Sequence, residues 1–261
     1  MAVKGAVLGD ILGSQYEFGR PEDLDWQNVA LITPGLADFT DDTVMTLAVK
    51  DALLNGKDLV ETMVRVGRRY PGCGFGGMFF GWILGDDHAP YGSWGNGSAM
   101  RTAYVGEYSD DPDIVRKTAE QVSSVSHDHP EGIKGAVVTS MCIWMARHGH
   151  SKEEIYSYVL ENYPAEQYSY SINHDLQWLR KHYQWTEKCC DTVPAAMRCF
   201  YESTDYESFI RNIYSLKCDS DTFGAIAGGV AEEYYGGFGS IDAEKILKEC
   251  LTKDLYEILT A

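Results

Sequence analysis

Phe39-Thr40-Asp41-Asp42-Thr43-Val44-Met45-Thr46-Leu47-Ala48 (residues 39–48) reads as the opening of a helix. Oxygen-bearing residues come first, then apolar ones at Val44, Leu47, Ala48 and Leu54, spaced to line one helical face. Thr or Asp at such a start is a common N-cap, and a cap needs only one acceptor. This cluster supplies two carboxylates and flanking hydroxyls. The same grammar returns at Asp219-Ser220-Asp221-Thr222, again where a helix should begin. Each cluster alone can be read as a plain cap; the surplus oxygens favour a second role. Four carboxylates with hydroxyls form an oxygen-only donor set, the chemistry preferred by Mg²⁺, Mn²⁺ and Ca²⁺. Two divalent cations would neutralise the four charges, so a binuclear centre shared by the two clusters is expected.

Working outward, the helical period recurs at Ile133, Val137, Met141 and Ile143, and at Phe209, Ile213 and Leu216, while strand signals are scarce. The expectation is an all-α fold, a compact helical bundle in one domain spanning residues 1–261. Start signals are a capping-box pattern from Ser151 to Glu154, Asp128 ahead of Pro130 and Glu131, and Thr192 or Val193 ahead of Pro194 in a first turn. A first helix over about residues 2–14 carries Gly5, Gly9 and Gly13 on one face, where another helix can approach closely. Long irregular stretches are expected at about 18–39 and 71–96, and such loops are often functional.

The charge balance excludes some partners. Lys and Arg number 22 against 39 Asp and Glu, a net charge of −17, which disfavours broad contact with nucleic acid or an anionic membrane. No transmembrane span is evident. The seven cysteines are odd in number and lack CxxC or His-rich zinc spacing, so a reduced, cytoplasmic protein is expected, and a monomer. No secretory signal is read at the N-terminus, where Asp10 interrupts the apolar stretch early.

Further chemistry lies between the acidic clusters. Tyr91-Gly-Ser-Trp-Gly-Asn-Gly-Ser98 leads into a helical pattern from Ala99, an arrangement that either cradles a phosphate on backbone N–H groups or simply turns the chain. Arg101 would add charge there or sit on the surface. His127 stands before another helix start, as a sugar or phosphate ligand or as a cap. Glu17 follows the first helix, as a base in a cleft or as a solvated acid. An EF-hand from Asp219 fails because Phe223 and Val230 occupy ligand positions.

The ordered set GDILGSQYEF (9–18), FTDDTVMTLA (39–48), WGNGSAMR (94–101), SHDHPEGIKGA (126–136) and DSDTFGAIAG (219–228) closely resembles the ADP-ribosylglycohydrolase family. The resemblance implies a metal-dependent hydrolase that cleaves the glycosidic bond between ADP-ribose and an acceptor, on an ADP-ribosylated protein or small molecule. It implies two Mg²⁺ or Mn²⁺ ions held by Thr40, Asp41 and Asp42 from one side and Asp219, Asp221 and Thr222 from the other. Gly95, Asn96, Gly97 and Ser98 would cradle the diphosphate and ribose, with His127 beside the ribose and Glu17 on a flap near the metals. Two departures stand out: Lys217-Cys218 where the family usually has two glycines, and Tyr104 where its bacterial members often have proline. Lys217 is expected to face solvent.

The mechanism implied passes through an oxocarbenium-like state, with Asp41, Asp42 or Glu17 taking the proton from an activated water. Three rivals compete: a catalytically weakened or inactive ADP-ribose-binding homologue, a structural protein of the crystallin kind, and a metal-dependent phosphoesterase.

Overall fold

The computed structural model describes residues 2–261, and these form fourteen α-helices with no strand. In chain order they are α1 (Ala2–Ser14), α2 (Asp41–Leu54), α3 (Leu59–Gly67), α4 (Gly77–Leu84), α5 (Ala103–Glu107), α6 (Pro112–Ser124), α7 (Pro130–Arg147), α8 (Lys152–Asn162), α9 (Leu176–His182), α10 (Cys189–Tyr201), α11 (Tyr206–Tyr214), α12 (Ser220–Tyr235), α13 (Ala243–Cys250) and α14 (Lys253–Thr260). A short 3₁₀ turn, Asn96–Ser98, stands before α5.

Helices buried on all sides form the centre. Every residue of α12 from Ser220 to Glu232 is buried, and α1 is buried almost throughout. Such helices need no polar face because others surround them. Amphipathic helices α3, α6, α11, α13 and α14 wrap them, each giving one apolar stripe to a continuous core.

Close approach of α1 and α12 follows from glycine. A Cβ at Gly9 would lie 2.2 Å from the Gly224 carbonyl oxygen, and one at Gly224 would lie 2.1 Å from that of Gly9. Gly5 faces Gly228 and Gly13 faces Ser220 in the same way, so the predicted glycine face meets backbone. This contact sets the C-terminal end of α1 against the N-terminal end of α12.

The Ser151–Glu154 capping box is present. Three expectations are corrected. His129, not Asp128, caps α7, and Asp128 accepts a hydrogen bond from the Gly92 N–H instead. Helix α10 starts at Cys189, placing Pro194 inside it; Asn96 N–H to Glu187 O and Cys189 N–H to Trp94 O fix the chain there and set the helix start. The 71–96 stretch contains α4, because Phe79, Trp82 and Ile83 bury one side of an apolar run between glycines. An irregular connection also spans 163–175. All seven cysteines are free, and no helix among the described residues is long and apolar enough to cross a membrane.

Candidate active site

The N-terminus of α2 is held by an acid from another helix. Asp10, fully buried on α1, accepts hydrogen bonds from Thr40 N–H at 3.0 Å, Thr40 Oγ1 at 2.7 Å, Thr43 N–H at 3.1 Å and the Thr43 hydroxyl. Thr40 also caps α2 by accepting from Asp42 N–H. The Asp41 N–H donates to the Cys73 carbonyl at 2.8 Å. These bonds orient Asp41 and Asp42 into a cavity of about 480 Å³, within the range of small-molecule sites.

The start of α12 delivers Asp219, Asp221 and Thr222 to the same cavity. The Thr222 hydroxyl donates to Asp42 Oδ2 at 3.3 Å, so the two clusters are in direct contact. Glu17, in the turn after α1, brings a carboxylate oxygen within 4.8 Å of oxygens from Asp219 and Asp221. Asn96 Nδ2 donates to Asp219 Oδ2 at 2.7 Å. The acidic residues predicted from both ends of the sequence therefore do meet.

Burial raises the carboxyl pKa of every acid in this group, and mutual repulsion adds to it for most of them. Asp41 is pushed up to about 8, Asp219 to about 7 and Glu17 to about 9, with Asp42 and Asp221 well above the usual range. Asp42 Oδ1 and Asp221 Oδ1 are buried without a hydrogen-bond partner. Buried acceptors left unpaired are rare, and here they belong to an oxygen-only set with surplus negative charge. That set fits hard divalent cations, and Glu17, Asp219 and Asp221 lie close enough together to share one.

The glycine turn lines the same cavity and touches the acids through Asn96 and Asp219. Gly95, Asn96, Gly97 and His127 line the cavity, as do Phe79, Tyr91 and Trp94. Protein acceptors take the N–H groups of Gly95, Asn96, Ser98 and Ala99, and α5 begins only at Ala103, so no helix N-terminus follows the turn directly. Gly97 remains as the turn's donor. Ser98 stands behind the turn, donating to the Gly132 carbonyl, and does not line the cavity. Thr40 does not line it either; with its hydroxyl bonded to Asp10 and Asp42 N–H, one lone pair is left for a cation. Arg101 is neither a surface residue nor a phosphate ligand: it is fully buried and donates to the Val122 and Ser123 carbonyls.

Lys217 does not approach the carboxylates. It pairs with Glu22 at 2.6 Å on the exposed surface, and Cys218 is buried behind it.

Sequence reading missed three contributors. Asp10 was legible as an acid within a small, apolar helix, a setting where a charge needs buried partners. Glu187 gives its carbonyl to Asn96 and lines the cavity with Lys188; nothing in their sequence context marked them.

An all-helical chain whose buried acids and glycine turn line one cleft has the donor set for a hard cation beside room for a small ligand. The ADP-ribosylglycohydrolase family profile matches residues 1–253, and the chain belongs to that family. It is 27% identical to the ADP-ribosylhydrolase ARH3 of Homo sapiens, across 89% of this chain and 84% of that protein. It is 23% identical to the putative ADP-ribosyl glycohydrolase L543 of Acanthamoeba polyphaga mimivirus, across 98% and 92% respectively. A solved structure of an ADP-ribosylglycohydrolase-related protein complex superposes with a TM-score of 0.73 at 22% identity, covering 99% of this chain and 93% of that one, which shows the shared fold.

Proposed function

We propose that the protein is a divalent-cation-dependent hydrolase that cleaves the glycosidic bond between ADP-ribose and an acceptor, working as one domain and as a monomer. One observation carries this reading: Asp41 and Asp42 from α2 converge with Asp219 and Asp221 from α12 in one cavity, which the glycine turn and His127 also line. Family membership supplies the hydrolase class and the ADP-ribosyl chemistry.

When bound, two Mg²⁺ or Mn²⁺ ions supply Lewis acidity toward water and the ribose hydroxyls and offset the acids' negative charge. The protein's own groups do the rest. Asp41, Asp42, Asp219, Asp221 and Thr222 hold the cations, and Asn96 fixes the orientation of Asp219. Glu17 stands beside Asp219 and Asp221 as the base; burial and its acidic neighbours keep its carboxyl protonated near neutrality, and cations offsetting that repulsion would free it to take a proton. The Gly97 N–H and His127 face the diphosphate and ribose.

Incubating the purified protein with ADP-ribosylated peptides, with Mg²⁺, with Mn²⁺ and with chelator, tests this. Release of ADP-ribose should need the cation, and Asp41→Ala or Asp221→Ala should lower kcat/KM by at least about a hundredfold. Binding of ADP-ribose without release under any condition would replace the enzyme with a binding protein.

A further inference from the structure

His127 enters the cavity by one edge and meets a defined hydrogen-bond chain at the other. Its Nε2 faces the glycine turn, where a Cβ at Gly97 would come within 3.1 Å of it and one at Gly95 within 3.6 Å. Its Nδ1 lies 2.8 Å from Ser126 Oγ, and the Arg101 Nη2 donates to that same oxygen at 3.0 Å. Arg101 and Ser126 are both fully buried.

A guanidinium has no acceptor, so between Arg101 and Ser126 the direction is fixed: Arg101 gives and Ser126 receives. The serine hydroxyl has one proton to place. Among the described residues its oxygen has no hydrogen-bond partner except Arg101 and His127. If Nδ1 carried the imidazole proton, Ser126 would receive from both neighbours and its own proton would be buried without an acceptor, an arrangement folded proteins avoid. If Nδ1 is bare, the hydroxyl donates to it and both Ser126 and Nδ1 are satisfied, whereas the Nε and Nη1 of Arg101 are buried without a partner in either tautomer and do not decide between them.

We infer that Arg101 and Ser126 are positioning residues that hold His127 in the tautomer with its proton on Nε2, so that the imidazole meets the cavity as a hydrogen-bond donor to an oxygen of the bound ligand. The opposite tautomer would turn a lone pair toward the turn, which repels a phosphate oxygen and accepts only from a sugar hydroxyl. Burial and the nearby Arg101 charge also hold the His127 pKa well below the usual range, which keeps the ring neutral. Arg101 itself stays out of the cavity, its guanidinium 5.5 Å from the Phe79 ring centre. It thus acts through Ser126, and the donor reaches the ligand without a positive charge. That the oxygen belongs to ADP-ribose rests on the proposed function; the tautomer does not.

The test uses Mg²⁺-loaded full-length protein labelled with ¹⁵N-histidine, with His127 assigned by its loss in His127→Gln. Long-range proton–nitrogen correlation distinguishes the tautomers, and calorimetry reads ADP-ribose affinity. Wild-type protein should show a protonated Nε2 and a bare Nδ1. Ser126→Ala should mix or invert the tautomers and weaken ADP-ribose binding about tenfold, whereas Ser126→Thr, which keeps the hydroxyl, should restore both readouts. A wild-type spectrum with protonated Nδ1 overturns the inference, and it needs no variant to fold. Unchanged spectrum and affinity in Ser126→Ala overturn the positioning role. A protonated Nε2 in protein that binds no ADP-ribose would uphold the tautomer and defeat the ADP-ribose reading.

Discussion

Asp10 accepts hydrogen bonds from both Thr40 and Thr43 yet does not line the cavity, so its carboxylate acts on the site by fixing the loop that carries Asp41 and Asp42. Asp10→Asn keeps the size of the side chain but turns an amide toward groups that only donate or already donate. Mg²⁺ affinity should fall by about ten- to a hundredfold, as for other residues that orient metal ligands, while helical content stays intact; calorimetry and circular dichroism check the two halves of that statement. Lys217 gives the contrasting case. Its side chain is 59% exposed and bound to Glu22, and exposed ion pairs contribute about 0–1 kcal/mol. Lys217→Gly should therefore leave Mg²⁺ affinity within about twofold, and a tenfold gain would show that the lysine does reach the carboxylates. From sequence, Asp41 and Asp221 were recognisable by their company of oxygens at helix starts. Asp10 was visible only as a break in hydrophobicity, because its partners lie 30 or more residues away.

At the scale of elements, the α1–α12 contact ties packing to chemistry. Glycines at 5, 9 and 13 let α1 lie against the backbone of α12, and this places Asp10, Glu17 and Asp221 in one neighbourhood. A methyl group at Gly9 would collide with backbone rather than with a flexible side chain, so Gly9→Ala should cost about 3 kcal/mol, toward the upper end for overpacking. Gly19→Ala, where an added Cβ meets nothing within 4 Å, should stay within about 0.5 kcal/mol. Urea denaturation of the pair measures the difference. Helices with strong periodicity or local caps, such as α2, α8 and α11, were legible. The boundaries that were not, α4 and the start of α10, depend on long-range contacts: burial of Phe79 and Trp82, and the backbone bonds tying Trp94 and Asn96 to residues 187–189.

Across the whole molecule, the raised carboxyl pKa values set a pH signature. Without cations the folded protein binds more protons than the unfolded chain between the ordinary carboxyl pKa near 4 and the folded values of about 7 for Asp219 and 8 for Asp41. The stability these protons contribute is fully present below pH 4 and is lost as pH rises through 7 to 8. Thermal midpoints of chelator-treated protein should fall from pH 6 to 8.5, and saturating Mg²⁺ should remove the fall, because the cation takes the place of the protons. Mg²⁺ binding near neutrality should release protons, seen as a buffer-dependent heat in calorimetry. Each half of the site was readable in the sequence, but their meeting was not, since Asp42 and Thr222 are joined only by the fold. That separation also has a biosynthetic side. Helix α1 is made about 200 residues before α12, and at cellular rates of synthesis it waits roughly 10–40 s for its partner. During that interval a helix buried on nearly every side in the finished protein has α2 and α5 beside it but lacks the helix that covers most of it. A nascent chain arrested before residue 219 should accordingly recruit chaperones and retain no Mg²⁺, and the competence of the site dates from the moment α12 leaves the ribosome.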